Sequence, residues 1–434
     1  MAISVLSGSP QAATPVYNKM LFKVSGSLTS GANYRYVCDV KDAAGTTTLA
    51  RLKCDKLPTT NYGFFDVSRV VETLIAPQAP DTGERGLFYD HSGFYSGYRL
   101  TFMEEYGSTP VVQTGTTTNV TGNIAFAGNL EQLEYTNWVK TVGANQLYPF
   151  YFNANASNIR ALTTTADATT FVTSGFVQAD VAKALKDTLN VVTPNQAGWL
   201  AIASPIGVVG NYWTQCRIQY WNADGSIIRN YFINNTTTSG TTNNIVRFPT
   251  GPKNIKTILA GQTSDNFAGS HLFPTQEGAG YSVRFEENNV SGTVSEAVFY
   301  RIGPCERFDS IFVHFINKFG GIDSYAFTLK NRKRANIERD TFGYNSDVYA
   351  TLTYDKVWAG SFDYVYALNS DWLTDAQSEW LIELVRSGQV WLEIDSQLVE
   401  AVVNANQYQF VTRRNDQLQQ LQIEIAVAYK NNIL

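Results

Sequence analysis

Residues 33–55 read NYRYVCDVKDAAGTTTLARLKCD, and the fold class can be argued from this stretch outward. Tyr34, Tyr36, Cys38 and Val40 recur at every second position, with Arg35, Asp39 and Lys41 between them. That alternation is a strand with one face turned inward. Asp42 to Gly45 supplies a turn, and the run after it completes a hairpin. VYNKMLFKVSG, residues 16–26, adds a third strand before it. Two later segments repeat the outline, though their residues are too different to count as a sequence repeat. WTQCRIQYWNADGSIIRNYFIN (213–234) turns at Asp224–Gly225, and IFVHFINKFGGIDSYAFTL (311–329) turns at Gly320–Gly321.

Composition points the same way. Charged residues are only 16% of the 434 positions, aromatics are 13%, and Thr, Asn, Ser, Gly and Tyr fill the difference. A disordered chain would carry more charge and fewer aromatics, and a helical bundle would be written with Glu, Lys and Arg. The expected fold class is mainly β, as multi-domain antiparallel β-sandwich or barrel-like modules with a few short helices. At roughly 150 residues per domain the length suggests about three units. The expected divisions are an N-terminal β-domain with one short helix (1–128), a Thr/Asn/Ala-rich insertion with short helices (129–210), a β-hairpin domain (211–300) and a C-terminal β-domain (301–434).

Helical spacing marks a few places. Val67, Val70, Val71, Leu74 and Ile75 form one stripe, with Ser68 to cap it and Pro77 to stop it. NLEQLEYTNWV (129–139) and residues 179–189 are two more. The best is LTDAQSEWLIELVRSG (373–388), where Thr374 and Gln377 make a capping box, Trp380, Leu381, Leu384 and Val385 the buried stripe, and Gly388 the end. A strand is expected at Tyr98–Tyr106, whereas TGTTTNVTGN (114–123) reads as an exposed loop or arm. Strands at QVWLEI, LVEAVVN, YQFVTRR and the alternating LQQLQIEIAVAYK close the chain.

The search for chemistry returns little. His91, His271 and His314 lie far apart, and His314 sits mid-strand, where a sheet-face or core role outweighs a ligand role. No GxSxG elbow, P-loop or dinucleotide fingerprint is present. Glu104–Glu105 and Glu286–Glu287 are adjacent acids that a strand would point to opposite faces, and nothing in the spacing selects Asp363 or Asp371. Catalytic, cofactor and metal residues are therefore not expected. Cys38, Cys54, Cys216 and Cys305 lack metal-site spacing. A Cys38–Cys54 bridge across the first hairpin is open to geometry, and free thiols are expected. No apolar run reaches membrane length, the N-terminus lacks the features of a secretory signal, and the net charge of -5 gives no whole-protein case for nucleic acid.

One charge cluster stands out, LKNRKRANIER, with Lys330, Arg332, Lys333, Arg334 and Arg339. It reads either as a solvated loop or as an electrostatic contact with an acidic neighbouring subunit or a phosphate backbone. No aromatic interleaves the run, so a subunit contact is favoured over nucleic-acid readout. Tyr89, Phe94, Tyr95 and Tyr98, in a Gly-rich loop, either pack back on their own domain or form an assembly interface.

Three segments carry a family resemblance. TPVYNKMLFKVSG, NYRYVCDV and YGFFDVSRVVETLI together resemble the N-terminal signature of a structural protein of crAss-like and related tailed bacteriophages. IFVHFINKFGGIDSYAFTLKNRKRANIERDTF resembles its central hairpin through Asn317, Gly320, Gly321, Asp323, Ser324 and Phe327, with Lys318 and Phe319 where Arg and Leu are commoner. TRRNDQLQQLQIEIAVAY resembles its closing strand through Thr412, Arg413, Asn415, Asp416 and Leu418. The matches cover about a third of the chain, and 107–210 lies outside them. The resemblance implies a non-enzymatic ring or hub subunit of the neck or tail, made in the host cytoplasm and located in the virion. It would contact copies of itself and other virion proteins, and meet viral DNA only through an assembled lumen. The alternatives are a receptor-binding tail-tip protein and, third, a glycan-degrading tail enzyme.

Overall fold

A computed structural model describes residues 3–7, 9–10, 13–85, 88–91, 93–140, 160–161, 178–203, 215–234, 245–256, 273, 276–286, 297–303, 308–344, 354–404 and 420–432. The architecture is mainly β, in two sandwich-like units and a third built on a single sheet, the sheets being open and largely antiparallel.

The first unit contains β1 (Ser4–Val5), β2 (Ala13–Pro15), β3 (Leu21–Ser25), β4 (Arg35–Asp42), β5 (Thr48–Asp55), β6 (Gly63–Asp66) and α1 (Ser68–Glu72). The chain then runs through β7 (Tyr89–Asp90), β8 (Tyr95–Tyr106), β9 (Val111–Phe126) and α2 (Gln132–Lys140). One sheet has the order β1-β3-β6 and its partner the order β2-β9-β8-β4-β5. Their inner faces meet where Phe102 packs 6.0 Å from Phe22 and 5.8 Å from Phe65, ring centre to ring centre. The first hairpin turns as expected. Gly45 takes φ +77, and Asp42 Oδ1 accepts from the amides of Thr46 and Thr47.

Two expectations change here. The Thr/Gly tract is not a loop; it lies inside β9, paired along β8 through two register shifts. Thr is β-branched, and a buried neighbouring strand supplies the ladder that the tract's own polarity could not signal. Ser68 does not cap α1 but opens it, and Asp66 Oδ1 accepts from both its amide and its hydroxyl.

The second unit holds β10 (Arg160–Ala161), α3 (Gln178–Asp187), β11 (Val191–Val192), β12 (Trp199–Ala203), β13 (Gln215–Trp221), β14 (Ile227–Asn234), β15 (Ile245–Pro249), α4 (Pro252–Ile255), β16 (Gly280–Glu286) and β17 (Val298–Ile302). Its sheets run β10-β12-β15-β7 and β11-β17-β16-β13-β14. Residues 191–203, placed by the sequence in the insertion, thus belong to these sheets, and β7 is lent by the first unit's chain. Phe88 follows it in, 5.1 Å from Phe248, and Phe248 lies 6.2 Å from Phe285 in the opposite sheet. Val181 and Leu185 of α3 pack on Trp221 and Phe299. Of the expected insertion, 141–159, 162–177 and 204–210 lie outside the described residues.

The third unit is β18 (Ile311–Ile316), β19 (Ile322–Phe327), β20 (Arg332–Tyr344), β21 (Tyr354–Asn369), α5 (Asp375–Arg386), β22 (Val390–Ile394), β23 (Gln397–Val403), β24 (Gln422–Val427) and β25 (Asn431–Asn432). They form one eight-stranded sheet, β19-β18-β22-β23-β24-β21-β20, with β25 paired to β21. Helix α5 lays Trp380, Leu381 and Leu384 over Phe315, Leu368, Leu392 and Ile425. Its capping box is present in both halves, contributing about 1 kcal/mol. Its end differs from expectation. Ser387, not Gly388, leaves the helix by turning extended, and its hydroxyl accepts from the amides of Ile316 and Gln389. The closing strand is interior, between β23 and β21, while residues 405–419 lie outside the described residues.

Candidate functional site

The basic run is neither a loop nor a compact patch. Arg332, Lys333, Arg334 and Arg339 lie on β20, the open edge of the eight-stranded sheet, with Lys330 just before it. Every residue from Arg332 to Gly343 is exposed. Side chains alternate across the strand, so Arg332 and Arg334 share one face with Asn336, Glu338 and Asp340, while Lys333 and Arg339 share the other with Ala335 and Ile337. Arg334 donates to both carboxylate oxygens of Glu424, at 2.9 and 2.6 Å, and Lys430 Nζ lies 3.2 Å from Glu338. On the opposite face Lys333 Nζ stands 3.7 Å from the centre of the Tyr364 ring, a cation–π contact. Aromatics do reach the run, from β21 rather than from within it. The registry that brings them there, Lys333 opposite Tyr366 and Ala335 opposite Tyr364, leaves no mark in the segment itself.

Strands β20 and β21 outrun the sheet. Among the described residues β24 covers only Val365–Asn369 and β25 only Ser361 and Phe362, so Tyr354–Gly360 pairs there with β20 alone as a two-stranded ribbon. Large apolar side chains stand out along it: Ile337 is 55% exposed, Phe342 44% and Trp358 64%. Exposed large apolar side chains also occur elsewhere, Leu133 and Val111 among them, and what marks the ribbon is that three of them lie on two paired strands.

The second predicted cluster divides. Phe94 and Tyr98 are core residues, each 1% exposed, and are corrected from contact candidates to packing. Phe94 stacks on His91 at 3.9 Å, and Tyr98 joins the first unit's core. A Gly-rich loop in the sequence hides that β8 has already begun by Tyr95, so its aromatics face a sheet. Tyr89 and Tyr95 are half-buried. Tyr95 donates its hydroxyl to Asp90 at 3.3 Å, and the Arg247 guanidinium lies 5.9 Å from the Tyr89 ring.

The catalytic possibilities can be placed directly. His314 Nδ1 lies 2.7 Å from Ser324 Oγ, and its Nε2 lies 3.5 Å from Glu393, which Lys253 Nζ contacts at 2.5 Å. The order superficially matches a Ser-His-acid relay, but the nitrogens are exchanged: a relay directs Nε2 at the serine and Nδ1 at the acid. His314 is fully buried, and that burial pushes its pKa down, leaving the ring neutral. Burial pushes Glu393 up, but His314 and Lys253 together hold it below the ordinary carboxylate value. The cavity beside Ser324 has about 30 Å³, room for a water or two rather than a substrate. Glu104 and Glu105 take separate partners, Tyr34 at 2.8 Å and Lys53 at 2.7 Å, as residues on opposite strand faces do. Glu287 lies outside the described residues. Cys38, Cys54 and Cys216 form no disulfide, and registry explains the first two, since Cys38 faces Leu52 and Cys54 faces Tyr36; Cys305 lies outside the described residues. Among the described residues no three His, Cys, Asp or Glu side chains group as a metal site, and no helix is long and apolar enough to cross a membrane.

The residues behind the central resemblance have a clear structural task, one that sequence reasoning did not assign. Asn317 Oδ1 accepts from the amides of Phe319 and Gly321, and its Nδ2 donates to Asp323 at 2.9 Å. Asp323 in turn accepts from Trp380 Nε1 at 2.9 Å. This turn gathers neighbours from the other elements. His91 Nε2 donates to the Gly320 carbonyl at 2.9 Å, Asn129 donates to that of Lys318, and Lys318 Nζ meets Glu134 at 2.7 Å. Gly320 has φ +79 and sits tight on Ala127, where a Cβ would stand 3.2 Å from the Ala127 carbonyl oxygen. A groove of about 510 Å³ opens beside it between the first and third units. Two of the cations on its walls are paired, Arg69 with Glu72 and Arg386 with Glu131.

Comparison of the chain with protein-family models gives no match, and comparison with curated proteins gives none. Among solved structures, the chain is similar to the native conformation of Escherichia coli alpha-2-macroglobulin at 11% identity and a TM-score of 0.19, covering 98% of this chain and 21% of that one. Trypsin-activated alpha-2-macroglobulin from Escherichia coli gives 11% identity, a TM-score of 0.19, and 97% and 21% coverage. The chain spans about a fifth of the length of these structures.

Proposed function

We propose that the chain is a non-enzymatic structural subunit of a tailed-phage virion, one that assembles with copies of itself and with other virion proteins into a ring or hub of the neck or tail. The observation that carries this reading is the β20–β21 ribbon, which presents Ile337, Phe342 and Trp358 beside a row of arginines beyond the sheet that supports it. An arm of this kind suits a contact with a neighbouring subunit, where aromatic, aliphatic and Arg side chains concentrate. The resemblance of the Asn317–Phe327 turn to the phage family supports the same reading. So does the poor fit of the His314 relay to catalysis. Closed rings use two different patches of one subunit, and the cations Arg332, Lys333 and Arg334 would meet an acidic patch of the neighbour in such a contact.

The test is a mass measurement of the purified protein at several concentrations, with negative-stain images. A ring or tube of defined copy number supports the reading, and its loss in Arg332→Glu/Lys333→Glu/Arg334→Glu places the contact on β20. A chain that stays monomeric or dimeric at high concentration, alone and with its co-expressed virion neighbours, overturns it.

A further inference from the structure

We infer that β20 is a self-complementary edge, built to pair antiparallel with β20 of a second copy about a two-fold axis through Asn336. Among the described residues the strand is the outer member of its sheet, and an edge of this length presents a row of outward backbone donors and acceptors. Its side chains also supply a register. Along one face the strand reads Arg332, Arg334, Asn336, Glu338, Asp340, which is two cations, a neutral centre and two anions. Antiparallel pairing about Asn336 sets Arg332 opposite the second copy's Asp340 and Arg334 opposite its Glu338. The two-fold doubles both pairs, giving four Arg–carboxylate contacts. Moving the axis one residue either way keeps only one such pairing within the strand. The regular register with β21 runs from Arg332 to Asp340, and the bulge falls after Asp340, so the nine-residue window ends where the strand stops being regular.

The neighbouring charges extend the pattern. Glu338 already has Lys430 on its inner side, and Arg334 already has Glu424. Joining the edges therefore makes one alternating row across the two sheets: Lys430, Glu338, the second copy's Arg334, its Glu424. The other face sets Lys333 opposite Arg339, a like pair, but the Lys333 ammonium leans inward over Tyr364 and Tyr366. Edge charges can instead serve to keep strands apart. A guard of that kind needs one sign or scattered signs, not a sequence that complements itself when reversed. The pairing goes beyond the ring reading and does not rest on it, because an isologous contact stops at two copies.

Charge exchange separates the pairing from the contacts within one chain. Arg334→Glu alone and Glu338→Arg alone each place like charges across the axis twice, and each should weaken dimerisation in analytical ultracentrifugation by about tenfold or more. Arg334→Glu/Glu338→Arg together restores the cross-axis pairs while leaving both intrachain partners, Glu424 and Lys430, facing like charge. Recovery of the dimer in the double variant is the expected result; a double variant no better than the singles overturns the proposal. Cysteines fix the register. Under mild oxidation Asn336→Cys should link to itself, because opposed residues meet within disulfide reach, whereas Ala335→Cys should not, because it opposes the second copy's Ile337. Absence of the Asn336→Cys link, or equal linking of both, overturns the proposal. A ring unaffected by either charge reversal also overturns it while leaving the ring reading intact. A dimer with no ring does the reverse.

Discussion

Acid should loosen the joint between the first and third units through one histidine. The His91 ring is fully buried, stacked on Phe94 and donating to the Gly320 carbonyl, and burial lowers its pKa from 6.5 to about 3. Its folded form is thus held neutral, and the stability this represents is whole above pH 6.5. As pH falls below 6.5 the unfolded chain binds a proton there that the folded chain refuses, until about pH 3. Each pH unit in that window costs about 1.4 kcal/mol, so roughly 2 kcal/mol is lost by pH 5 and on the order of 5 kcal/mol by pH 3. The assay is urea unfolding at pH 7 and pH 5 for the natural chain and for His91→Gln, which keeps a donor toward Gly320 but does not titrate. The natural chain should lose about 2 kcal/mol more than the variant between the two values. His314, also buried and also shifted down, is common to both proteins and cancels in the difference. A ring-proton titration locates the group itself, since only three histidines occur in the chain. A His91 signal with a midpoint at or above pH 6, or equal losses in both proteins, would refute the reasoning.

Asn317→Ala removes the acceptor shared by the Phe319 and Gly321 amides and one donor to Asp323; a loss of about 3 kcal/mol in chemical unfolding is expected, and Asn317→Asp should cost at least as much at pH 7, because it keeps the acceptor but sets a second buried carboxylate against Asp323. Thr374→Ala deletes the hydroxyl half of the α5 capping box, leaving the backbone amide of residue 374 on Gln377 Oε1, and should cost about 1 kcal/mol, read as a lower urea midpoint at unchanged slope. Burial pushes the Cys54 thiol up to about 11 and Cys38 higher still, so neither should react appreciably with a thiol reagent at pH 8 until denaturant is added, and reductant should leave the unfolding midpoint unchanged.

What the sequence made legible was local. The turns at Asp42–Gly45, Asp224–Gly225 and Gly320–Gly321 carry their own glycines at positive φ or beside it, and the α5 cap is written in two residues three apart. Burial was not legible where glycine surrounds aromatics, so Phe94 and Tyr98 looked surplus although their strand neighbours cover them. Nor was pairing legible where the partner is distant. The Thr tract of β9 and the charged run of β20 each look like loops alone and become strands only against β8 and β21. The self-complementary order of charges on β20 was present in the letters, but it acquires meaning only once Arg332 to Asp340 is known to be extended and at an edge.

The loan of β7 has a consequence for how the protein is made. Tyr89 and Asp90 pair with Arg247 and Val246, so this piece of chain emerges about 160 residues before the strand that receives it. At 5–20 residues per second a ribosome needs roughly 10–30 s to cover that distance. The first sandwich can close in that interval only with a loop left hanging from its side, Phe88 still in water. Synthesis of this chain therefore has a fixed waiting period, and a halt within it leaves a nascent chain with one finished sandwich, an unclaimed strand and an uncovered Phe88.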